Sequence, residues 1–370
     1  MMTTMSFTPT EEQQMLVDTI TKYALNDVRK IAHAADESNT LPDSVIRKGW
    51  EIGLLPASIP EEFGGLGEYS AVTNVLAAEA LAYGDLSVAL AVLAPGLVGL
   101  PVLFSGTLEQ QQNILPSFAD ATPTPFTAAL IEPGIAFDAG ALKTTATRDG
   151  ECYHLNGAKA YVPLAENARS VLVYARDSES GKMDGYLVDA GTEGMVIGAR
   201  EKLMGIRALP TYPMNFTNAE VSANCKLGGD QGTRYERLLS HSRVALAALA
   251  VGVARSAFEY ARDYAKERVA FGAPIAHKQA IAFMLAEMAI EVDAARLMAW
   301  EAAWNLDMQP NADLTRDSYL AKEYADKAVL FVTDSAVQVL GGHGYIREHP
   351  VERWLRNGRG FVTFDGMAIV

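Results

Sequence analysis

Cysteine is nearly absent. In 370 residues only Cys152 and Cys225 occur, in segments of different character, so neither a disulfide framework nor a cysteine-based metal cluster is available, and a reducing compartment, the cytoplasm, is the expected location. Long apolar runs are missing as well: none reaches the roughly 18 residues that span a bilayer, and the opening MMTTMSFTPT has neither the charged start nor the apolar stretch of a secretory signal. Neither export nor a membrane is expected. Positive charge is in the minority, 31 Lys and Arg against 45 Asp and Glu for a net charge of −14, so nucleic acid or an anionic lipid surface would be repelled at long range. No GxGxxG follows a strand-like run, which argues against a Rossmann dinucleotide domain. There is no internal repeat, and no His, Cys or carboxylate cluster at metal-ligand spacing, so no metal is expected.

What is present is the material of an ordinary globular body. With 49% hydrophobic and 21% charged residues the chain can bury a large core, and its length suggests two or three domains at about 100 to 200 residues each. The hydrophobic period changes twice. Residues 1–122 read as a helical domain: Thr8, Pro9 and Glu11 look like a helix start, Met15, Leu16, Ile20 and Tyr23 recur at helical spacing, and Ile59 to Gly67 is a glycine-rich loop. Residues 123–229 read as an antiparallel β-domain, with β-rich runs at Val171 to Tyr174, Tyr186 to Val188 and Met195 to Ile197. Residues 230–370 read as helical again, with long helices predicted over Arg243 to Arg268, Lys278 to Asp307 and Thr315 to Leu340. Ile281, Leu285, Met288 and Val292 mark the buried face of the second helix, and Tyr324, Ala328, Phe331 and Ser335 that of the third. Long helices joined by short turns make a bundle, so the fold class is α+β with a C-terminal four-helix bundle.

Two segments carry chemistry. Arg268-Val269-Ala270-Phe271-Gly272-Ala273-Pro274-Ile275, followed by Gln279, sets a cation, a ring and an amide at a turn. It reads either as a corner for a dinucleotide pyrophosphate or as an ordinary helix end with its dipole complemented by arginine. Gln338-Val339-Leu340-Gly341-Gly342-His343 ends the last long helix, either as a plain cap or as a place where a ligand or another subunit approaches the backbone. His343 reads as a polar loop residue.

Taken in register, seven segments resemble the acyl-CoA dehydrogenase family over essentially the whole chain: IPEEFGGLG, GTLEQQ, EPGIAFDAGA, LNGAKAYV, GIR at Gly205 to Arg207, ERVAFGAPI and QVLGGHGYIREHPVERWLRN. The resemblance implies FAD held between the β-domain and the bundle. It implies an acyl-CoA or related acyl thioester as substrate, an electron acceptor such as an electron-transfer flavoprotein, and a homo-tetramer or a hetero-tetramer with a homologous subunit. By the same resemblance Arg268, Phe271 and Gln279 would meet the phosphate and adenosine end of FAD, with Gln338, Gly341 and Gly342 completing that site on a neighbouring subunit. Tyr161 would lie against the flavin and Arg243 near the CoA channel. The chemistry implied is removal of the substrate α-proton by a carboxylate while the β-hydrogen leaves as hydride to the flavin.

The chain departs from the family pattern at one pocket. Where the family has a Tyr-Glu-Gly-Thr run, this sequence has Phe364-Asp365-Gly366-Met367, so Asp365 is the candidate base, one methylene shorter than the usual Glu. The second family position for a base, before Arg243, is Ser242. Ile131, the pair Ala136-Phe137, the run Tyr161-Val162-Pro163 and Met367 stand where the family has hydroxyl or small residues. Three lost hydroxyls at about 1 kcal/mol each would weaken flavin affinity by roughly two orders of magnitude. Two readings follow: a working flavoenzyme whose ring is held by main-chain donors, or a catalytically degenerate subunit that completes a neighbour's FAD site without a working one of its own. A flavin ring beside Phe137 and Pro163, facing Asp365, is what the first requires.

Overall fold

The computed structural model describes residues 5–119 and 125–370; the expected boundary at 122/123 lies outside the described residues. The first region is helical: α1 (Glu11–Tyr23), α2 (Arg29–Ser38), α3 (Asp43–Glu51), α4 (Leu54–Ala57), α5 (Ala71–Gly84), α6 (Leu86–Leu93), α7 (Gly96–Ser105) and α8 (Leu108–Ile114). Its starts are written locally. Thr10 and Thr107 each form a capping box with the Gln three residues on, and Asp85 accepts from the amides of Ser87 and Val88 at the head of α6. α5 also takes a cap from far away, since Asp307 accepts from the amides of Ala71 and Val72.

The middle region is one sheet of seven strands: β1 (Phe126–Ala129), β2 (Thr145–Asp149), β3 (Cys152–Pro163), β4 (Ser170–Asp177), β5 (Met183–Asp189), β6 (Met195–Ile197) and β7 (Thr211–Ser222). The expectation of an antiparallel domain needs correction. β1 runs parallel to the first half of β4, β2 runs parallel to its last residues, and the other pairings are antiparallel. The hairpin β2–β3 separates β1 from β4 in sequence, so the chain crosses over before β4 arrives beside β1. Alternation along a strand reports which face is buried and carries no information on a distant partner's direction.

The third region holds α9 (Tyr235–Glu267), a two-residue ribbon β8 (Val269–Ala270) and β9 (Ala273–Pro274), α10 (Gln279–Met308), α11 (Thr315–Leu340), α12 (Gly342–Tyr345) and α13 (Val351–Gly360). The fourth member of the bundle is thus the 10-residue α13, packed on α9 and α11. α9 begins at Tyr235, earlier than the expected Arg243, because no side chain caps its start and its first turns are held by tertiary burial of Leu238 and Leu239. α9 is apolar and long enough to cross a membrane but is mostly buried as the central helix. It passes α5 so closely that a Cβ on Gly252 would lie 2.3 Å from the Glu79 carbonyl. On α11 the buried row is Ala321, Ala325, Ala328 and Val332, with Ser335, while Phe331 faces outward. On α10 Met288 and Val292 are buried and Phe283, Ile290 and Leu297 are exposed.

Candidate active site

β3 reaches the site through a break in its ladder. Its pairing with β7 shifts between Lys159 and Val162, Tyr161 adopts φ 55°, and Glu201 accepts from the Tyr161 amide at 3.1 Å. A bulge of this kind re-aims side chains, and here both Lys159, which is fully buried, and Tyr161 border one cavity. Lys159 donates to the Leu130 carbonyl and to Glu132, each at 3.0 Å. Glu132 also accepts from the amides of Lys143 at 2.7 Å and Thr144 at 2.8 Å. Burial would raise the Glu132 carboxyl, but Lys159 and these donors outweigh it and hold it below its ordinary value. Burial pulls Lys159 down to about 8 against the attraction of Glu132. The pair clamps the loop that carries Phe137, and the Tyr235 hydroxyl fixes the end of that loop by donating to the Ala139 carbonyl.

The opposite wall comes from α9, α11 and the segment after α13. After a single turn at Phe361–Thr363, Asp365 points at the cavity with its side chain 15% exposed, its Oδ2 3.8 Å from Arg243 Nη2. Gly366 follows at φ +65°, its amide donating to the Ser242 hydroxyl at 3.1 Å. Burial raises the Asp365 carboxyl above its ordinary value, with Arg243, Lys322 and the Gly366 amide pulling the other way. Behind it Lys322 donates to Asp326 at 2.6 Å and to the Phe361 carbonyl at 3.1 Å, and burial lifts Asp326 to about 6 in spite of that lysine. Two buried polar atoms of the wall have no hydrogen-bond partner among the described residues, Asp365 Oδ1 and Arg243 Nε. Between the two walls lies a cavity of about 770 Å³, in the range of small-molecule sites.

Of the expected site residues, the structure brings Asp365, Tyr161 and Arg243 to this one cavity. Arg268, Phe271, Gln279, Gln338, Gly341 and Gly342 do not line it; all six are exposed. Tyr264 near the end of α9 meets His343 beyond the end of α11 at 2.7 Å, whereas Arg243 near the start of α9 lies over Tyr319 near the start of α11. The two helices therefore run parallel, and Arg268 sits roughly 38 Å along α9 from Arg243 at 1.5 Å per residue. His343 is not a plain loop residue: it stacks on His349 and bonds Tyr264.

The departures at the pocket divide. Ile131, Ala136, Phe137 and Tyr161 line the cavity. Pro163 does not; it is buried, with its carbonyl accepting from the Thr127 hydroxyl at 2.7 Å. Met367 is turned into the helical core at 2% exposure. Lys322, Tyr319, Glu201 and the Lys159–Glu132 clamp were not legible as site residues. Lys322 meets the Phe361 carbonyl 39 residues further along the chain, a contact that no local pattern announces.

Three family profiles match in succession: acyl-CoA dehydrogenase N-terminal domain over residues 10–122, middle domain over 127–219 and C-terminal domain over 230–368. The chain belongs to the acyl-CoA dehydrogenase family. It is 34% identical over 364 residues to the bovine mitochondrial short-chain specific acyl-CoA dehydrogenase, covering 96% of this chain and 87% of that protein. It is 34% identical to cyclohex-1-ene-1-carbonyl-CoA dehydrogenase of Syntrophus aciditrophicus, covering 95% and 85%. Among solved structures, butyryl-CoA dehydrogenase of Megasphaera elsdenii superposes with a TM-score of 0.87 at 30% identity, covering 96% and 95% of the two chains. The family is one of FAD-dependent oxidoreductases. The residues present fit the ring end of that cofactor: the cavity is open rather than filled by Phe137, Tyr161 offers it an aromatic wall, and two buried polar atoms there lack hydrogen-bond partners among the described residues.

Proposed function

We propose that this chain catalyses FAD-dependent α,β-dehydrogenation of an acyl-CoA thioester, with Asp365 as the base that takes the α-proton. The observation that carries the reading is Asp365 Oδ1, a buried carboxylate oxygen with no partner among the described residues, on the wall of a ligand-sized cavity. Burial raises its affinity for a proton, which suits a base that must work near neutrality. Arg243, against the effect of burial, favours the charged form of the carboxylate and leaves the other oxygen free for substrate. Ser242 fixes the Gly366 amide and so the direction in which Asp365 leaves the backbone. The Lys159–Glu132 clamp holds the facing loop and helps exclude water from the reacting bond. Tyr161 and the loop of Phe137 would hold the ring of FAD, which when bound would supply the acceptor for the β-hydrogen as hydride.

The remaining residues suit an assembly. Arg268, Phe271, Gln279, Gln338, Gly341 and Gly342 lie too far from the cavity to serve the same FAD, and so would complete the adenosine end of a neighbour's site in a tetramer. The exposed Phe283, Ile290 and Leu297 along α10 support burial against such a neighbour. An electron-transfer flavoprotein is the proposed acceptor. The two free cysteines suit a cytoplasmic location.

A second reading, a degenerate subunit, is favoured by the short Asp365 already ion-paired to Arg243 and by apolar Ile131 and bulky Phe137 on the wall. Purification of the chain alone separates the two. Stoichiometric FAD, bleached by an acyl-CoA in the native chain and not in Asp365→Asn, supports the enzyme; a general base is worth about 10²- to 10⁴-fold. A colourless preparation that takes up no FAD refutes it, and unchanged bleaching in Asp365→Asn removes Asp365 from the mechanism.

A further inference from the structure

The segment directly after the candidate base does not return to solvent. Met367, Ala368, Ile369 and Val370 are 2%, 0%, 5% and 1% exposed, threaded between α7 and α9 and on toward α3. Both ends are tied: the Gly366 amide to Ser242 at 3.1 Å, and the Val370 carbonyl to His241 Nδ1 at 2.7 Å. The carbonyl can only accept, so the ring nitrogen donates, and burial holds that histidine neutral with its pKa lowered to about 3. The surroundings are apolar. Leu97, Leu130, Leu238 and Leu239 line the segment near Asp365, with Trp50 and Leu100 farther on. What remains open beside it is a void of about 20 Å³ and another of about 40 Å³, room for no more than a few waters. An apolar sleeve therefore leads away from the reacting carboxylate, and the chain itself fills it.

We infer that residues 367–370 are a specificity element: by occupying the sleeve behind Asp365 they confine the acyl group to the cavity of about 770 Å³ and restrict the substrate to short or compact acyl thioesters. The inference rests on the thioester reading above. In an open sleeve each added methylene would bury about as much area as in a protein core and improve binding about fourfold. With the sleeve filled, added methylenes stay outside and bring little.

The test is calorimetric titration of the FAD-loaded protein with butyl-, octyl- and dodecyl-S-CoA, thioethers that cannot be dehydrogenated, so binding is read without turnover. The expected result is that all three bind the native protein within about threefold of one another, and that Met367→Ala/Ile369→Ala, checked for an intact fold by its melting transition, binds octyl-S-CoA at least about tenfold tighter relative to butyl-S-CoA than the native chain does. A native protein whose affinity climbs more than about a hundredfold from butyl to octyl has room for the chain and overturns the filled sleeve without any variant. Failure of every thioether to bind, butyl included, overturns the thioester reading itself, and with it this element.

Discussion

Gly366 is the position at which backbone strain, packing and the candidate base meet, and Gly366→Ala tests the account of all three. Its φ of +65° costs an L-residue about 1 to 2 kcal/mol. A Cβ there would also lie 2.5 Å from Leu130 Cδ2 and 2.6 Å from Leu130 Cβ, and overpacking a formed core costs about 1 to 3 kcal/mol. The sum, about 2 to 5 kcal/mol, is a large part of a typical domain's stability. The two contributions separate in a cycle. Leu130→Ala alone removes a buried side chain, 5% exposed, at a cost of about 2 to 5 kcal/mol. In the double variant the clash with Cδ2 is gone, while the strain and the 2.6 Å approach to the Cβ that alanine keeps remain, so the double costs less than the sum by about 1 kcal/mol. The assay is urea unfolding of the four proteins at fixed protein and FAD concentration, with thioester-dependent bleaching read in parallel. Gly366→Ala should also slow bleaching, because displacement of Asp365 by about 1 Å costs on the order of 10²-fold. Strict additivity of the two substitutions would refute the clash with Leu130 Cδ2, and a neutral Gly366→Ala would refute the strain and the Cβ contact as well.

Lys159→Met leaves Glu132 buried without its cation and is expected to destabilise the fold by about 3 to 5 kcal/mol, with Lys159→Met/Glu132→Gln recovering part of that, read by chemical denaturation. His241 carries its proton in the unfolded chain below its ordinary 6.5 but in the folded one only near 3. It therefore contributes stability that is present above 6.5 and lost as pH falls through that window. Melting temperatures of the native chain and His241→Gln should converge on acidification, and parallel curves would contradict the burial of a neutral imidazole.

The three long helices were legible because their apolar residues repeat at helical spacing over 26 to 33 residues; the first helix start, expected at Thr8, is capped two residues later by Thr10, and the cap at Thr107 was not read from the sequence. Asp365, Arg243 and Tyr161 were legible as site residues only through the family resemblance; composition and period say nothing of them. The strand directions were not legible, because pairing β1 with β4 joins residues 44 apart. Nor was the place of Pro163, which depends on which side of the β3 bulge faces the cavity.

Composition, period and local capping thus determined that the chain forms helices, a sheet and helices again, and the motifs in register determined its family. The tertiary structure alone decided that Asp365 pairs with Arg243, that Lys322 is buried under Phe361, and that residues 367–370 fill the space behind the base. Each of these joins groups far apart along the chain, where contact is set by packing and by the need to satisfy buried charge, and no short-range pattern encodes either.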